Sequence, residues 1–146
     1  MELCASKEDR TYMAKSKKIQ FVKHVDVNGA LCAYEASQGV PFDIKRVFTV
    51  TAQQGDVRGD HSHIECSQLL ICVSGHITLS CDNGNEVTQH ELDDMHKGLL
   101  VPPGIWTRQD YKMNGSVLMV LCDREYDPDD YIFDYKEFKQ KLGVQE

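Results

Sequence analysis

At 146 residues the chain has room for one ordinary domain, and its 41% hydrophobic and 27% charged residues are those of a soluble globular protein, not a disordered or fibrous one. The net charge is −7, with no basic block beyond Lys15, Lys17 and Lys18, which argues against a nucleic-acid or membrane-surface binder. No run approaches the ~18 apolar residues of a membrane span, the charged first twenty residues do not make the core of a signal peptide, and six cysteines without CxxC spacing fit reduced thiols in the cytoplasm.

Residues 1–17 are polar and aperiodic and read as a flexible leader, leaving 18–146 as a single domain. Turn signals then recur along the chain, among them Asn28-Gly29, Gly39-Val40-Pro41, Gly55-Asp56, Pro102-Pro103-Gly104 and Asn114-Gly115. Between them, Arg46–Thr51 alternates and is rich in β-branched residues, while Gln68–Val73, His76–Ser80 and Val117–Leu121 also have strand character. His76–Cys81, the turn Asp82-Asn83-Gly84-Asn85 and Glu86–Thr88 read as a hairpin. Short strands with regular turns predict an all-β sandwich or small barrel. At the C-terminal end, Asp127-Pro128-Asp129-Asp130 has the form of a helix N-cap and acidic first turn. Tyr131, Tyr135, Phe138 and Leu142 follow at helical spacing, as a packing face.

The segment richest in chemistry runs from Gly55 to Gly75 with the spacing G-x5-H-x-H-x4-Q-x6-G. Residues two apart on a strand project to one face, so His61 and His63 share a face, and Gln68 on an adjacent strand would join them inside a barrel. Imidazole suits proton transfer because it titrates near neutral pH. His24, His76, His90 and His96 have no spaced partner and read as surface or turn residues. The cluster Glu91-Asp93-Asp94 reads as a solvated loop.

This spacing resembles the first cupin motif, and Gly98–Thr107 resembles the second, shortened before its Pro-x-Gly. The fold implied is a cupin: a double-stranded β-helix or jelly-roll barrel, here with a short C-terminal helix. A metal-binding cupin would use both histidines, a motif-one Glu and a motif-two His. Gln68 and Thr107 stand at the last two positions and are poor ligands, so no metal is expected.

The fuller pattern is Val40–Phe48, Arg58-Gly59-Asp60-His61-Ser62-His63, Gln68–Gly75, Gly98–Trp106 and Tyr126–Tyr135. It is similar to the nucleotide-linked sugar 3,4-ketoisomerases, small cupins that act on dTDP-4-keto-6-deoxy-glucose, over about residues 18–140. The resemblance implies a cofactor-free and metal-free isomerase that moves the ketone from C4 to C3 through an enediol, in deoxysugar biosynthesis. It implies a homodimer, with an N-terminal strand near Ile19–Val25 exchanged between copies. It implies His61 as the principal base and His63 as its partner, a proton relay between the sugar oxygens.

Sequence alone leaves Arg46 open between a solvated surface arginine and a ligand for the diphosphate; the resemblance implies the second. Trp106 is open between lying on substrate and plugging the barrel end, and Arg58 between substrate and holding the turn before His61. Asn28 and Thr107 occupy positions that flank the sugar in this family, where a basic or aromatic residue and a His or Arg are common. Phe48 and Thr49 stand where family members often carry a Tyr, so that phenol is missing here. Two other readings use the same residues: a deoxysugar epimerase, and a non-catalytic sugar-nucleotide-binding cupin.

Overall fold

The alternating run at Arg46 and the apolar runs at Gln68 and Val117 become neighbours in one antiparallel sheet of a computed structural model that describes residues 14–143. In spatial order that sheet holds β1 (Lys17–Gln20), β9 (Lys97–Val101), β6 (Gln68–Ser74), β11 (Ser116–Cys122) and β4 (Arg46–Ala52). A second sheet faces it. Its order is β12 (Tyr131–Ile132), β5 (Val57–His63), β10 (Trp106–Tyr111), β7 (Ile77–Asp82) and β8 (Val87–Leu92). A separate hairpin joins β2 (Lys23–Asp26) to β3 (Gly29–Cys32), and among the described residues one α-helix, α1 (Tyr135–Leu142), follows β12. This is the jelly-roll barrel expected of a cupin.

The space between the sheets is filled by Leu70, Cys72, Ile77, Leu79, Leu99, Leu118 and Val120, with Tyr111 among them. β6 is buried on both faces. Leu70 and Cys72 point into the barrel, whereas Leu69 and Ile71 meet Phe21, Val40 and Leu121 in a second core, with Tyr34, Phe42 and Ile44 packed against it. That is why β6 reads as a continuous apolar run where β4 alternates. Each fully buried Leu or Ile contributes roughly 1.5–3 kcal/mol of transfer free energy, so β6 is a main anchor of the fold.

Of the expected leader, residues 1–13 lie outside the described residues, while Ala14 packs against the inter-sheet core and Lys17 opens β1. β1 pairs with β9 of its own chain.

The helix expected from Asp127 begins later. Asp127 caps only a 3₁₀ turn at Pro128–Asp130, after which Tyr131 is extended and pairs with His63 on β5. Strand pairing, together with the burial of the Asp130 carboxylate, outweighs the local helix signal. The true N-cap is Asp134, whose side chain accepts from the Lys136 N–H, and Gly143 ends α1 in the left-handed conformation.

Candidate active site

β5 carries an irregularity that aims its histidines. Thr107 pairs with His61 but Arg108 with Gly59, so Asp60 is the extra residue of a β-bulge, with a positive φ of 55°. Gly59 (φ 86°) permits the turn; a Cβ there would stand 3.2 Å from the Thr107 carbonyl oxygen. Beyond the bulge His61 and His63 meet, with ring centroids 5.2 Å apart and planes at 83°. The shared face expected from their spacing is present.

His61 lines a cavity of about 150 Å³ within the barrel. β4 contributes Arg46, Phe48 and Val50 through its alternation, and β5 adds Arg58. Gln68 and Leu70 come from β6 and Gln109 from β10. Gln68 thus joins His61 across the barrel from the facing sheet, not from an adjacent strand as expected, because β10 and β12 occupy both sides of β5. Its amide approaches the Cys122 sulfur at 3.7 Å.

Burial pushes the His61 imidazole below its ordinary pKa, and the neighbouring His63 adds to the effect; a backbone contact from Gly59 and the Asp60 charge oppose it. Burial likewise lowers His63, outweighing the hydrogen bond and charge of Asp130 that favour its protonated form. Both rings are therefore neutral at pH 7, the state a base requires.

His63 is held from behind. Its Nδ1 donates to Asp130 Oδ2 at 2.9 Å, and Asp130 also accepts from the backbone N–H of Glu65 and of Cys66. That contact places the proton on Nδ1, and Nε2 has no hydrogen-bond partner among the described residues. The next residue, Tyr131, lays its ring 4.4 Å from His63 and 5.2 Å from His61. Its hydroxyl accepts from Arg46 Nη1 at 3.4 Å. The Arg46 guanidinium also lies over the rings of Phe48 and Tyr126, at 4.4 and 5.0 Å.

Asp130 and Tyr131 escaped the sequence reading, which put both in a helix. The signal that could have found them is the Asp-Tyr-Ile run itself, in which aromatic and β-branched residues favour a strand.

The other expected residues lie apart from the cavity lining. Trp106 packs edge-on against Tyr135 and tilts against Phe138, so it seats α1 on the barrel. Thr107 is buried in β10 opposite His61. Asn28 sits exposed in the turn between β2 and β3. The acidic cluster is tied into ion pairs, His76 with Glu91, Lys97 with Asp93 and Lys23 with Asp94.

One buried group has the ligand types of a metal site: His63, Cys66 and Asp130, with donor atoms within 4.8 Å of one another. Its chemistry is poor for a metal. Asp130 already accepts three hydrogen bonds, and contact with Cys122 together with burial raises the Cys66 pKa far above the thiolate range.

Residues 14–143 match the family model described as FdtA: WxcM-like, C-terminal. The chain is 36% identical over 130 residues to the TDP-4-oxo-6-deoxy-alpha-D-glucose-3,4-oxoisomerase of Aneurinibacillus thermoaerophilus, covering 88% of this chain and 94% of that one. Among solved structures it resembles QdtA, a sugar 3,4-ketoisomerase from Thermoanaerobacterium thermosaccharolyticum in complex with TDP (TM-score 0.84, 33% identity, 88% and 94% of the two chains). It also resembles a 3,4-ketoisomerase from Helicobacter canadensis (TM-score 0.85, 29% identity, 89% and 98% covered). The chain belongs to the FdtA-like family of cupin-fold sugar 3,4-ketoisomerases.

Proposed function

We propose that the chain moves the ketone of a TDP-linked 4-keto-6-deoxy-hexose from C4 to C3. The reaction oxidises one carbon of the substrate and reduces its neighbour, so it needs no outside electron acceptor and no redox cofactor. The C4 carbonyl acidifies the hydrogen on C3; a base removes it, an enediol forms, and a proton returns at C4. His61 is the base, as a neutral imidazole reaching into the cavity, and His63 is its partner, fixed by Asp130. Arg46 and Arg58 line the same cavity and supply fixed positive charge for the diphosphate, Arg46 being suited to a bidentate contact. Names of relatives that act on TDP-4-oxo-6-deoxyglucose, or hold TDP, support the same ligand here.

A single observation carries this reading: a histidine of lowered pKa inside a small cavity that two arginines also line. The product decides it. Incubation with TDP-4-keto-6-deoxyglucose followed by carbon NMR yields a new ketone at C3; recovery of unchanged substrate, or of a C3 or C5 epimer still oxidised at C4, overturns the reading.

The working form is a homodimer. The β2–β3 hairpin holds Val25, Val27 and Leu31 at 71%, 98% and 60% exposure, and β4 leaves a sheet edge with Val47 exposed. A second copy covering these surfaces removes both liabilities. The five described cysteines are all unpaired, which supports the cytoplasm as the location. No helix among the described residues is long and apolar enough to cross a membrane.

A further inference from the structure

β10 turns alternate side chains into the barrel, so Thr107, Gln109 and Tyr111 are all buried. Of the three, Gln109 lines the cavity beside His61. It is 7% exposed, and a buried primary amide costs free energy unless both of its ends are matched. One end is matched: Oε1 accepts from the Tyr111 hydroxyl at 2.8 Å. The other end, Nε2, has no hydrogen-bond partner among the described residues.

Tyr111 decides which end of the amide faces the cavity. Its ring stands in the apolar core between the sheets, and burial pushes its pKa up to about 12, so the hydroxyl keeps its proton and needs an acceptor. Turning the amide over would set an NH₂ group against that hydroxyl and strand the phenol hydrogen. The oxygen is therefore held toward Tyr111 and the nitrogen toward the cavity. Gly59 locates the nitrogen: a Cβ there would stand 3.4 Å from Nε2, and the Gly59 backbone also contacts His61. Donor and base thus meet at one glycine of β5.

Resting on the ketoisomerase reading, we propose that Gln109 is a substrate-binding residue that selects the ketone, donating from Nε2 to the sugar oxygen at C4. The amide nitrogen only donates and a ketone oxygen only accepts, so the two match without a further partner. A hydroxyl at C4 would bring a hydrogen that this nitrogen does not accept. As His61 takes the C3 hydrogen, the C3–H electron pair forms the C3–C4 double bond and the carbonyl π pair moves onto the C4 oxygen. The Gln109 hydrogen bond strengthens as that oxygen gains charge. Its own proton stays on nitrogen, and exchange of the proton between the two oxygens is left to His63, whose Nε2 is unpartnered among the described residues. Arg46 and Arg58 remain available to the diphosphate.

Gln109→Met keeps the length of the side chain but leaves the Tyr111 hydroxyl without an acceptor, whereas Gln109→Met/Tyr111→Phe removes both members of the pair. Each is compared with wild-type protein for kcat and KM on TDP-4-keto-6-deoxyglucose, TDP affinity by calorimetry, and denaturant midpoint. The expected result is a kcat/KM lower by about 10–10²-fold in both variants, the size of one hydrogen bond to a group gaining charge. TDP affinity is unchanged, and the denaturant midpoint falls in the single variant and recovers in the double. Activity that recovers together with the midpoint shows that the amide serves only Tyr111, and overturns the assignment. A matching loss of TDP affinity puts the amide on the nucleotide instead of the sugar and also overturns it. Wild-type protein that forms no 3-keto product overturns instead the ketoisomerase reading beneath it.

Discussion

The Nδ1 of His63 meets the Oδ2 of Asp130 at 2.9 Å, with the two side chains only 8% and 7% exposed and 67 positions apart in the chain. This contact fixes the tautomer and orientation of a ring that touches His61, the proposed base. Asp130→Asn keeps the shape but replaces one accepting oxygen by a donor facing N–H groups. It lowers kcat by about 10–10²-fold, the range for carboxylates that orient a histidine, and costs about 1–3 kcal/mol of stability from unmatched donors. Steady-state rates on protein shown to be folded by circular dichroism, with a denaturant titration, check both; wild-type kcat in folded Asp130→Asn protein contradicts an orienting role.

Burial holds His61 and His63 below the ordinary pKa of 6.5, which sets the pH dependence. In the unfolded chain both take protons as pH falls through about 6.5; in the folded protein they resist until lower pH. Over that window the unfolded state binds more protons, so stability rises with pH. The contribution is complete above 6.5 and is lost as pH falls through the folded values. Denaturant midpoints decline as pH falls below about 6.5, and the acid limb of kcat/KM has its midpoint below 6.5. A limb above 6.5 is inconsistent with a desolvated base.

The residues present predict turnover without a metal. Gln68 and Thr107 replace two of the four ligands of a metal cupin, and Thr107 is buried in β10 away from the cavity lining. Dialysis against EDTA leaves turnover unchanged, and elemental analysis of the active protein finds no stoichiometric transition metal. Activity that disappears with the chelator and returns with a divalent ion refutes this.

Sedimentation equilibrium at micromolar concentration gives twice the 16.6 kDa chain mass. Val27→Asp, at the 98% exposed tip of the β2–β3 hairpin, weakens that association without lowering the melting temperature of the monomer. A wild-type species of single-chain mass rules out the dimer.

The barrel was legible because its strands announce themselves locally. The alternation of Arg46–Thr51 places Arg46, Phe48 and Val50 on the cavity face, and the His-x-His spacing puts two rings on one face of β5. What stayed hidden depends on contacts distant in sequence. Asp127-Pro128-Asp129-Asp130 has the letters of a helix start, yet pairing with β5 and the buried Asp130 carboxylate hold the following residues extended. Gln68 has the spacing of a neighbouring strand but lies on the opposite sheet, since a jelly roll sends consecutive strands to facing sheets. Trp106, open between substrate and barrel end, is claimed by the rings of Tyr135 and Phe138.

If His61 removes the hydrogen from C3, exchange in D₂O reads that step. Wild-type protein with TDP-4-keto-6-deoxyglucose erases the substrate's C3 proton signal as the 3-keto product forms. His61→Asn, which keeps a polar side chain of similar size without the base, leaves that signal intact, lowers turnover at least ~10²-fold, and binds TDP as wild type does, because the arginines are untouched. Loss of the C3 proton at the wild-type rate in the His61→Asn protein places the base elsewhere and contradicts the account.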